Sequence, residues 1–270
     1  MVAGPPRESF PIPSSVLSFA AGRLVHLVWR NEQGGLTYEV GTGQERCFCK
    51  WSPSTSPGDP QAERRRLAWA SAFPAVPRVL SHGSDAAGSW FATAALPGEN
   101  AMSGRWKGDA AAAVRASGAG LRAFHDRFPV DTCPFSWSVE VRLAEIRRRA
   151  AAGKLHRSNW HPSHRELDLH QVLARLADPP PIDRLVVCHG DACAPNTLID
   201  DEGHCSGHVD LGAMGVADRW ADLAIATWSV NWNYGPGWEG ALLNAYGIAP
   251  DPERSRYYRL LWDIGRASAD

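Results

Sequence analysis

The segment HGDACAPN, residues 189–196, is followed fourteen residues after Asn196 by the triplet DLG, residues 210–212. Together they supply a carboxylate at Asp191, an amide at Asn196 and a second carboxylate at Asp210. Phosphoryl transfer needs a carboxylate that orients the attacking hydroxyl and receives its proton, and oxygen ligands for the Mg²⁺ that neutralises the phosphates. We therefore predict Asp191 as the catalytic base and Asn196 and Asp210 as Mg²⁺ ligands.

The order and spacing of the two motifs carry more information than either alone. Short triplets occur by chance, and Asn and Asp in loops mostly form turns. Here the amide follows Asp191 by five residues, and strand-like runs at 185–188 and 197–199 flank the segment. This context favours a catalytic loop over a chance match.

A nucleotide site also needs positive charge and backbone amides near its phosphates. Lys50 lies in the apolar run CFCKW, residues 47–51, of a chain whose only other lysines are Lys107 and Lys154. Such a position is unusual for a merely solvated lysine, so we predict that Lys50 binds phosphate. Gly34 and Gly35 form a preceding turn whose backbone could approach the phosphates.

A half-buried lysine needs a partner, because an unpaired ammonium in a low-dielectric site is costly. Glu63, early in the next predicted helix, is the nearest candidate. The alternative is a local surface pair between Glu63 and Arg64 or Arg66, and the sequence does not decide between the two.

Hydrophobic patterning divides the chain into two parts. Short strands separated by glycine-bearing turns are predicted at 24–29, 36–40, 46–51, 76–80 and 90–96, with a helix that begins at Asp59 and Pro60. Helical periodicity follows at 109–127, 138–152, 164–177, 217–230, 237–247 and 253–265. We predict a small β-rich domain over 1–96 and a larger helical domain over 97–270.

Composition excludes several classes of protein. The 270 residues are 44% hydrophobic and carry 28 Lys+Arg against 29 Asp+Glu, a net charge of −1. This balance predicts no nucleic-acid or membrane partner. Because the sequence has no long apolar run and no signal-like beginning, we expect a cytoplasmic protein with reduced thiols. A zinc site among the cysteines and histidines of 188–208 is disfavoured, because none of these cysteines forms a CxxC pair.

The chain resembles the aminoglycoside O-phosphotransferases, in particular their 3'- and 3''-type branch, whose fold is similar to that of protein kinases. The resemblance spans about residues 30–265. It rests on HGDACAPNTLIDD (189–201), GHVDLGAMGVADRWADLA (207–224), QGGLTYEV (33–40), CFCKW (47–51), AERRRLAW (62–69), ATAALPGENA (92–101) and FHDRFPVDTCPF (124–135).

The resemblance implies a role for individual residues. Asp191 matches the catalytic base, Asn196 and Asp210 match the Mg²⁺ ligands, and Lys50 matches the phosphate-binding lysine with Glu63 as its helix partner. Residues 94–96 match the hinge that lines the adenine, with backbone contacts from Ala94 and Leu96. Asp218, Asp222 and His189 match groups that support the catalytic loop.

The sequence gives fewer indications of the residues that bind the phosphate acceptor. An aminoglycoside is a polycation, so its site should contain carboxylates. Candidates in the C-terminal domain are Glu239, Asp263 and Asp270, although single acidic residues on helices are commonly solvated. The indoles of Trp220, Trp228, Trp232 and Trp238 could stack a sugar or a planar antibiotic, but interhelical packing is their usual role.

The resemblance therefore implies an α+β, protein-kinase-like fold with a small antiparallel-β N-lobe and a larger, mostly α-helical C-lobe. It implies an enzyme that uses Mg²⁺ and ATP, with GTP as an alternative donor, to phosphorylate the 3' or 3'' hydroxyl of an aminoglycoside antibiotic and so confer resistance. A kinase of another hydroxylated antibiotic, peptide or nucleoside, or of a small metabolite would keep the same nucleotide-side residues. Monomer and dimer both remain open.

Overall fold

The computed structural model describes Gly4, residues 10–56 and residues 59–266. It divides into two compact units between Leu96 and Pro97. No helix within these described ranges is long and apolar enough to cross a membrane.

The N-terminal unit is a five-stranded antiparallel sheet with two helices. In chain order it contains α1 (Ser14–Ala20), β1 (Val25–Arg30), β2 (Leu36–Val40), β3 (Cys47–Pro53), α2 (Pro60–Ala70), β4 (Val79–Ser84) and β5 (Gly88–Ala94). The strand order is β1-β2-β3-β5-β4. Alternate residues of β2 are buried, and they pack with Cys47 and Cys49 of β3 and with Val16 of α1. This alternation is the period-2 pattern that predicted the strands.

Local chemistry explains where the strand and helix limits agree with the prediction and where they differ. Helix α2 begins as predicted, because the Asp59 side chain accepts a hydrogen bond from the Gln61 N–H and Pro60 occupies the first turn. The fourth strand begins at Val79 rather than at residue 76. Pro77 has no N–H to give to a neighbouring strand, and Ala75 has a φ of 67°, which is incompatible with extended backbone.

The C-terminal unit is mainly helical. Its helices are α3 (Gly104–Gly108), α4 (Ala110–Arg127), α5 (Val139–Ala151), α6 (Leu169–Leu176), α7 (Trp220–Tyr234), α8 (Glu239–Tyr246) and α9 (Pro252–Gly265). Side chains from six of them, α4 to α9, form one core that includes Leu121, Ile146, Leu176, Leu223 and Leu261. Helix α6 is shorter than the predicted 164–177, because Asp168 and Gln171 close a capping box that starts the helix at Leu169.

Five short strands position the loops of this unit. They are β6 (Glu99–Asn100), β7 (Leu185–Cys188), β8 (Thr197–Ile199), β9 (Cys205–His208) and β10 (Gly215–Asp218). Strands β6, β8 and β9 form one antiparallel sheet, and β7 pairs with β10 in another. The helix predicted from residue 217 therefore starts at Trp220, whose N–H donates to Asp218 Oδ1 at 2.8 Å.

Candidate active site

A loop of residues 189–196, the catalytic loop, connects the buried strand β7 to β8. One carboxylate fixes its first two residues. Asp222 of α7 accepts hydrogen bonds from the His189 N–H at 2.6 Å and from the Gly190 N–H at 2.8 Å. It also contacts His125 Nε2 of α4 at 3.0 Å. Burial raises the pKa of Asp222, but these hydrogen bonds and the two histidines outweigh burial and leave the pKa below its usual value.

Gly190 makes a turn that a side chain would prevent. Its φ is 86°, in the left-handed region, and an added Cβ would overlap the carbonyl oxygen of Ala213 and lie 2.6 Å from the Ala213 Cβ. Glycine is therefore required at this position both by backbone conformation and by the close approach of the chain that follows Gly212.

His189 links the start of the catalytic loop to the chain that precedes Asp210. Its Nε2 lies 2.9 Å from the Val209 carbonyl oxygen, while Nδ1 accepts a hydrogen bond from the Asp191 N–H at 3.2 Å. These partners assign the proton to Nε2, because a carbonyl can only accept and an amide can only donate. His189 thus acts as a brace, as the resemblance implies.

Asp191 lies in the interior of the catalytic loop and is held by two side chains. Cys193 Sγ donates to Asp191 Oδ1 at 3.1 Å, and Asn196 Nδ2 donates to Asp191 Oδ2 at 3.2 Å. Burial raises the pKa of Asp191, and the negative charge of Asp210 raises it further, while the two hydrogen bonds oppose the change. A carboxylate with a raised pKa is a stronger base than an exposed one, which suits proton acceptance from a hydroxyl.

Asn196 and Asp210 supply oxygen atoms in the same neighbourhood. The Asn196 carbonyl accepts the Val209 N–H at 3.0 Å, so the residue before Asp210 is hydrogen bonded to the end of the catalytic loop. Asp210 is exposed and has a φ of 66°, a conformation that aspartate adopts more readily than most residues. Carboxylate and amide oxygens are the ligands that Mg²⁺ prefers, so the donor set fits that ion.

Another carboxylate of this region, Asp218, ends β10 and is hydrogen bonded to the first residue of α7. It accepts hydrogen bonds from Trp220 N–H at 2.8 Å and from Asp183 N–H at 2.6 Å. Burial raises its pKa more than these hydrogen bonds lower it. Its contribution to the catalytic loop is therefore indirect, since α7 is the helix that carries Asp222.

In the N-terminal unit, Lys50 and Glu63 form an ion pair. The Lys50 Nζ lies 2.8 and 2.7 Å from the two carboxylate oxygens of Glu63, whose side chain is 13% exposed. Lys50 is on β3, opposite Thr37 of β2 and Phe91 of β5, in the middle of the sheet. The structure therefore forms the pairing between strand and helix that the sequence left open.

In the predicted phosphate-contacting turn and in the predicted hinge, backbone N–H groups are hydrogen bonded within the chain. The Gly34 N–H donates to the Asn31 carbonyl at 3.2 Å, and the Gly35 N–H donates to Asn31 Oδ1 at 2.7 Å. Both amides are thus used inside the turn, and a phosphate contact from them remains a prediction that requires the turn to open. Ala94 ends β5, where its N–H donates to the Arg78 carbonyl, and Leu96 ends the N-terminal unit.

The predicted acceptor carboxylates are engaged within the chain. Glu239 accepts from Asn231 Nδ2 at 2.5 Å and from Arg259 Nη2 at 2.7 Å. Asp263 is buried, with 4% of its surface exposed, and accepts from the His161 N–H and from His164 Nδ1. Asp270 lies outside the described residues. Contacts from these three residues to an acceptor remain predictions.

Three of the four tryptophans considered as stacking candidates pack in the core, which is the role that the sequence favoured. Trp220 and Trp228 are buried and Trp238 packs against the main core, whereas Trp232 is 44% exposed.

Sequence reasoning missed three residues that shape the site. Cys193 was visible inside the HGDACAPN segment, but nothing in the sequence placed its thiol against Asp191. His125 lies in the segment that carries the resemblance, and only the tertiary fold brings it to Asp222. Ser229, whose hydroxyl accepts the Ala194 N–H at 2.9 Å, gave no sequence signal at all.

A buried carboxylate that organises an Asp–Asn loop, with a second Asp after a hairpin, defines a kinase-type phosphotransferase site on an α+β fold. The model of the phosphotransferase enzyme family matches residues 30–258. The chain is 33% identical over 253 residues to an aminoglycoside 3'-phosphotransferase from Streptomyces fradiae, covering 87% of this chain and 93% of the relative. It is 35% identical over 226 residues to a streptomycin 3''-kinase from Streptomyces griseus, covering 78% of this chain and 82% of the relative.

A solved structure is similar over most of its length. The aminoglycoside phosphotransferase APH(3'')-Id from Streptomyces rimosus, in complex with ADP and streptomycin, superposes with a TM-score of 0.71 at 27% identity, over 88% of this chain and 94% of that one. The chain therefore belongs to the aminoglycoside O-phosphotransferases, in the 3'/3''-type branch, and is an O-phosphotransferase with a protein-kinase-like fold.

Proposed function

We propose that this enzyme transfers the γ-phosphate of ATP to the 3' or 3'' hydroxyl of an aminoglycoside and thereby confers resistance. The observation that carries the proposal is the bonding of Asp191, whose carboxylate is half-buried, raised in pKa and oriented by Cys193 and Asn196. The relatives named as a 3'-phosphotransferase and a streptomycin 3''-kinase, and the ADP and streptomycin in the similar solved structure, support the choice of donor and acceptor.

Asp191 has the central role in this proposal. Its carboxylate accepts the proton of the attacking hydroxyl while that oxygen forms a bond to the γ-phosphorus and the bond from the phosphorus to the leaving ADP oxygen breaks. Because hydrogen bonds from Cys193 and Asn196 fix its orientation before substrate arrives, little rearrangement is needed during the reaction.

Asn196 and Asp210 would hold Mg²⁺, which when bound neutralises charge on the phosphates. Lys50, oriented by Glu63, would contribute a further positive charge toward the nucleotide. Backbone groups of Ala94 and Leu96 would contact the adenine, and GTP remains an alternative donor.

A turnover assay tests the proposal directly. ATP consumption with Mg²⁺ would be measured against kanamycin, neomycin, streptomycin and hygromycin, with the product mapped for the phosphorylated position. We expect saturable turnover with at least one compound. Turnover only with viomycin, a nucleoside antibiotic or a metabolite, added to the same panel, would replace the aminoglycoside with another acceptor. Glu239 is paired with Arg259 and Asp263 with His164, so neither carboxylate is reserved for a polycation. This observation favours including the second class of acceptor in the panel.

Asp191→Asn tests the assignment of the base. We expect kcat to fall by about 10²- to 10⁴-fold with the nucleotide Kd nearly unchanged, because a base acts in the transition state. Asp201→Asn is the matched control. Asp201 is an exposed carboxylate in the turn between β8 and β9, and it is paired with Arg105 of α3. An Asp191→Asn variant that keeps its kcat would remove Asp191 from this role.

Asp210→Ala tests the assignment of the metal ligand. We expect weaker ATP binding when Mg²⁺ is present and no change in EDTA, because a ligand contributes only through the ion. Calorimetric titration with ATP under both conditions measures this difference. An equal loss of affinity in EDTA would show that Asp210 acts through the fold instead.

A further inference from the structure

Four aromatic side chains of the C-terminal unit form a contiguous group, the aromatic cluster, which contains His161, Trp228, Trp232 and Trp262. Ring centroids of Trp228 and Trp232 are 4.7 Å apart, those of Trp232 and Trp262 are 5.8 Å apart, and those of His161 and Trp228 are 4.4 Å apart. The cluster joins α7, α9 and the segment between α5 and α6. Three elements far apart in sequence thus present their rings at one place.

The aromatic cluster lies beside the catalytic loop. Trp228 and Trp232 are one helical turn apart on α7, as are Ser229 and Asn233, so the two pairs form neighbouring stripes. Ser229 Oγ accepts the Ala194 N–H of the catalytic loop at 2.9 Å, and Asn233 Nδ2 donates to the Ser229 carbonyl at 2.8 Å. One stripe therefore holds the loop and the next carries the indoles.

Arg266 also packs on the aromatic cluster. Its guanidinium lies 5.0 Å above the Trp262 ring. In the catalytic loop that the neighbouring stripe holds, the Cys193 thiol contacts Asp191 Oδ1 at 3.1 Å.

Trp232 differs from the other rings in being open to solvent. It is 44% exposed, whereas Trp228 is 8% exposed. An indole that packs on two other indoles and keeps a face in water can bury further apolar area against a ligand without rearrangement.

The charges around the aromatic cluster indicate which part of a ligand would contact the indoles. The carboxylates of Glu239 and Asp263 are held by Arg259 and by His164, respectively. Arg259 lies 5.6 Å from the Trp228 ring centroid, so guanidinium groups already occupy positions near two of the rings. Among the described residues, the surroundings therefore do not favour an ammonium group on the indoles, and an uncharged ring face fits better.

We propose that Trp232, supported by Trp228 and Trp262, binds the acceptor by stacking against the apolar C–H face of a sugar or cyclitol ring. This inference rests on the proposed function and names the residue that determines how the acceptor is held. The acceptor is then recognised mainly by the shape and apolar face of its ring, and less by ion pairs to its amines.

Trp232→Ala and Trp232→Phe test the proposal, with Trp29→Ala as the control. Trp29 is 39% exposed, which is similar to Trp232, but it lies on β1 of the N-terminal unit and outside the aromatic cluster. We expect Trp232→Ala to raise the acceptor KM about tenfold or more, with kcat and the ATP KM nearly unchanged. Trp232→Phe should recover most of the loss, and Trp29→Ala should match the wild type.

The same variants distinguish the two ways in which an indole could bind this acceptor. Stacking on a C–H face predicts the same ratio of KM values, variant to wild type, for an amine-bearing acceptor and for its N-acetylated form. A ratio that falls to one after N-acetylation would assign the contact to an ammonium over the ring and overturn the proposal. An unchanged KM in Trp232→Ala would overturn it as well.

The stacking contact can be tested separately from the proposed phosphorylation of aminoglycosides. If no aminoglycoside is turned over, calorimetric titration of the same compounds into wild type and Trp232→Ala decides the inference alone. Binding to the wild type that is lost in the variant supports the stacking contact and leaves only the acceptor assignment wrong. Equal binding to both proteins, or no binding to the wild type, overturns it.

Discussion

At the residue scale, one buried carboxylate sets the geometry of the catalytic loop. Asp222 is fully buried and accepts the N–H groups of His189 and Gly190, the two residues before Asp191. A buried N–H without an acceptor costs about 1–3 kcal/mol, so the loop conformation depends strongly on this residue. Asp222 reaches across from α7, thirty-three residues beyond His189.

Asp222→Asn is expected to destabilise the fold by about 3 kcal/mol, because the amide cannot accept all three of the hydrogen bonds and the charge beside His125 is lost. Denaturant unfolding measures the change. Asp126→Asn is the control, since Asp126 is a partly exposed carboxylate paired with Arg122 and Arg184, and such pairs contribute about 1 kcal/mol or less. Equal effects of the two substitutions would contradict the role given to Asp222.

Residue types and their spacing were enough to predict Asp191, Asn196 and Asp210 as one group. The acceptor side could not be predicted in the same way. Glu239 and Asp263 look like available carboxylates in the sequence, and only the fold shows that Arg259 and His164 already bind them. A helical residue carries no local sign of which distant side chain it will meet.

At the element scale, the link between β3 and α2 shows how a local signal can fix a tertiary contact. The Asp59 cap and Pro60 set the start of α2, and this start places Glu63 one turn into the helix, facing Lys50. Prediction succeeded here because the start of a helix is determined by adjacent residues. It failed for residues 217–218, which were predicted as the start of α7 and instead end β10, because the partner strand β7 lies about thirty residues earlier.

Glu63→Gln is expected to raise the KM for ATP several-fold with little change in the acceptor KM, because the ion pair positions Lys50. Steady-state kinetics with each substrate varied in turn measures the effect. Glu45→Gln, an exposed residue of the turn before β3, is the control. A Glu63→Gln enzyme with an unaltered ATP KM would show that Lys50 keeps its position without its partner.

At the scale of the whole molecule, buried histidine makes stability depend on pH. Burial, assisted by the neighbouring His189, lowers the pKa of His208 from 6.5 to about 3. Between these values the unfolded chain binds a proton that the folded chain does not, so the free energy of unfolding falls as pH falls from about 6.5 toward 3. The contribution is about 1.4 kcal/mol per pH unit in that window and is absent above it.

Urea denaturation of wild type and His208→Gln between pH 7 and pH 4.5 measures this contribution. The wild type should lose stability more steeply than the variant as the pH is lowered, and the difference in slope is the readout, whatever the absolute stability of the variant. His82→Gln, which removes an exposed histidine, should keep the wild-type slope. Equal slopes for wild type and His208→Gln would show that His208 accepts a proton in the folded state.

The neighbouring stripes of α7 also have a genetic consequence. Tryptophan has a single codon, and every single-base change of that codon gives a residue without an aromatic ring or a stop. A change to another residue at Trp232 would remove the exposed indole while the hydrogen bonds from the Ala194 N–H to Ser229 Oγ and from Asn233 Nδ2 to the Ser229 carbonyl stay in place. The range of acceptors is therefore open to change by point mutation, whereas the phosphoryl-transfer groups are inherited intact.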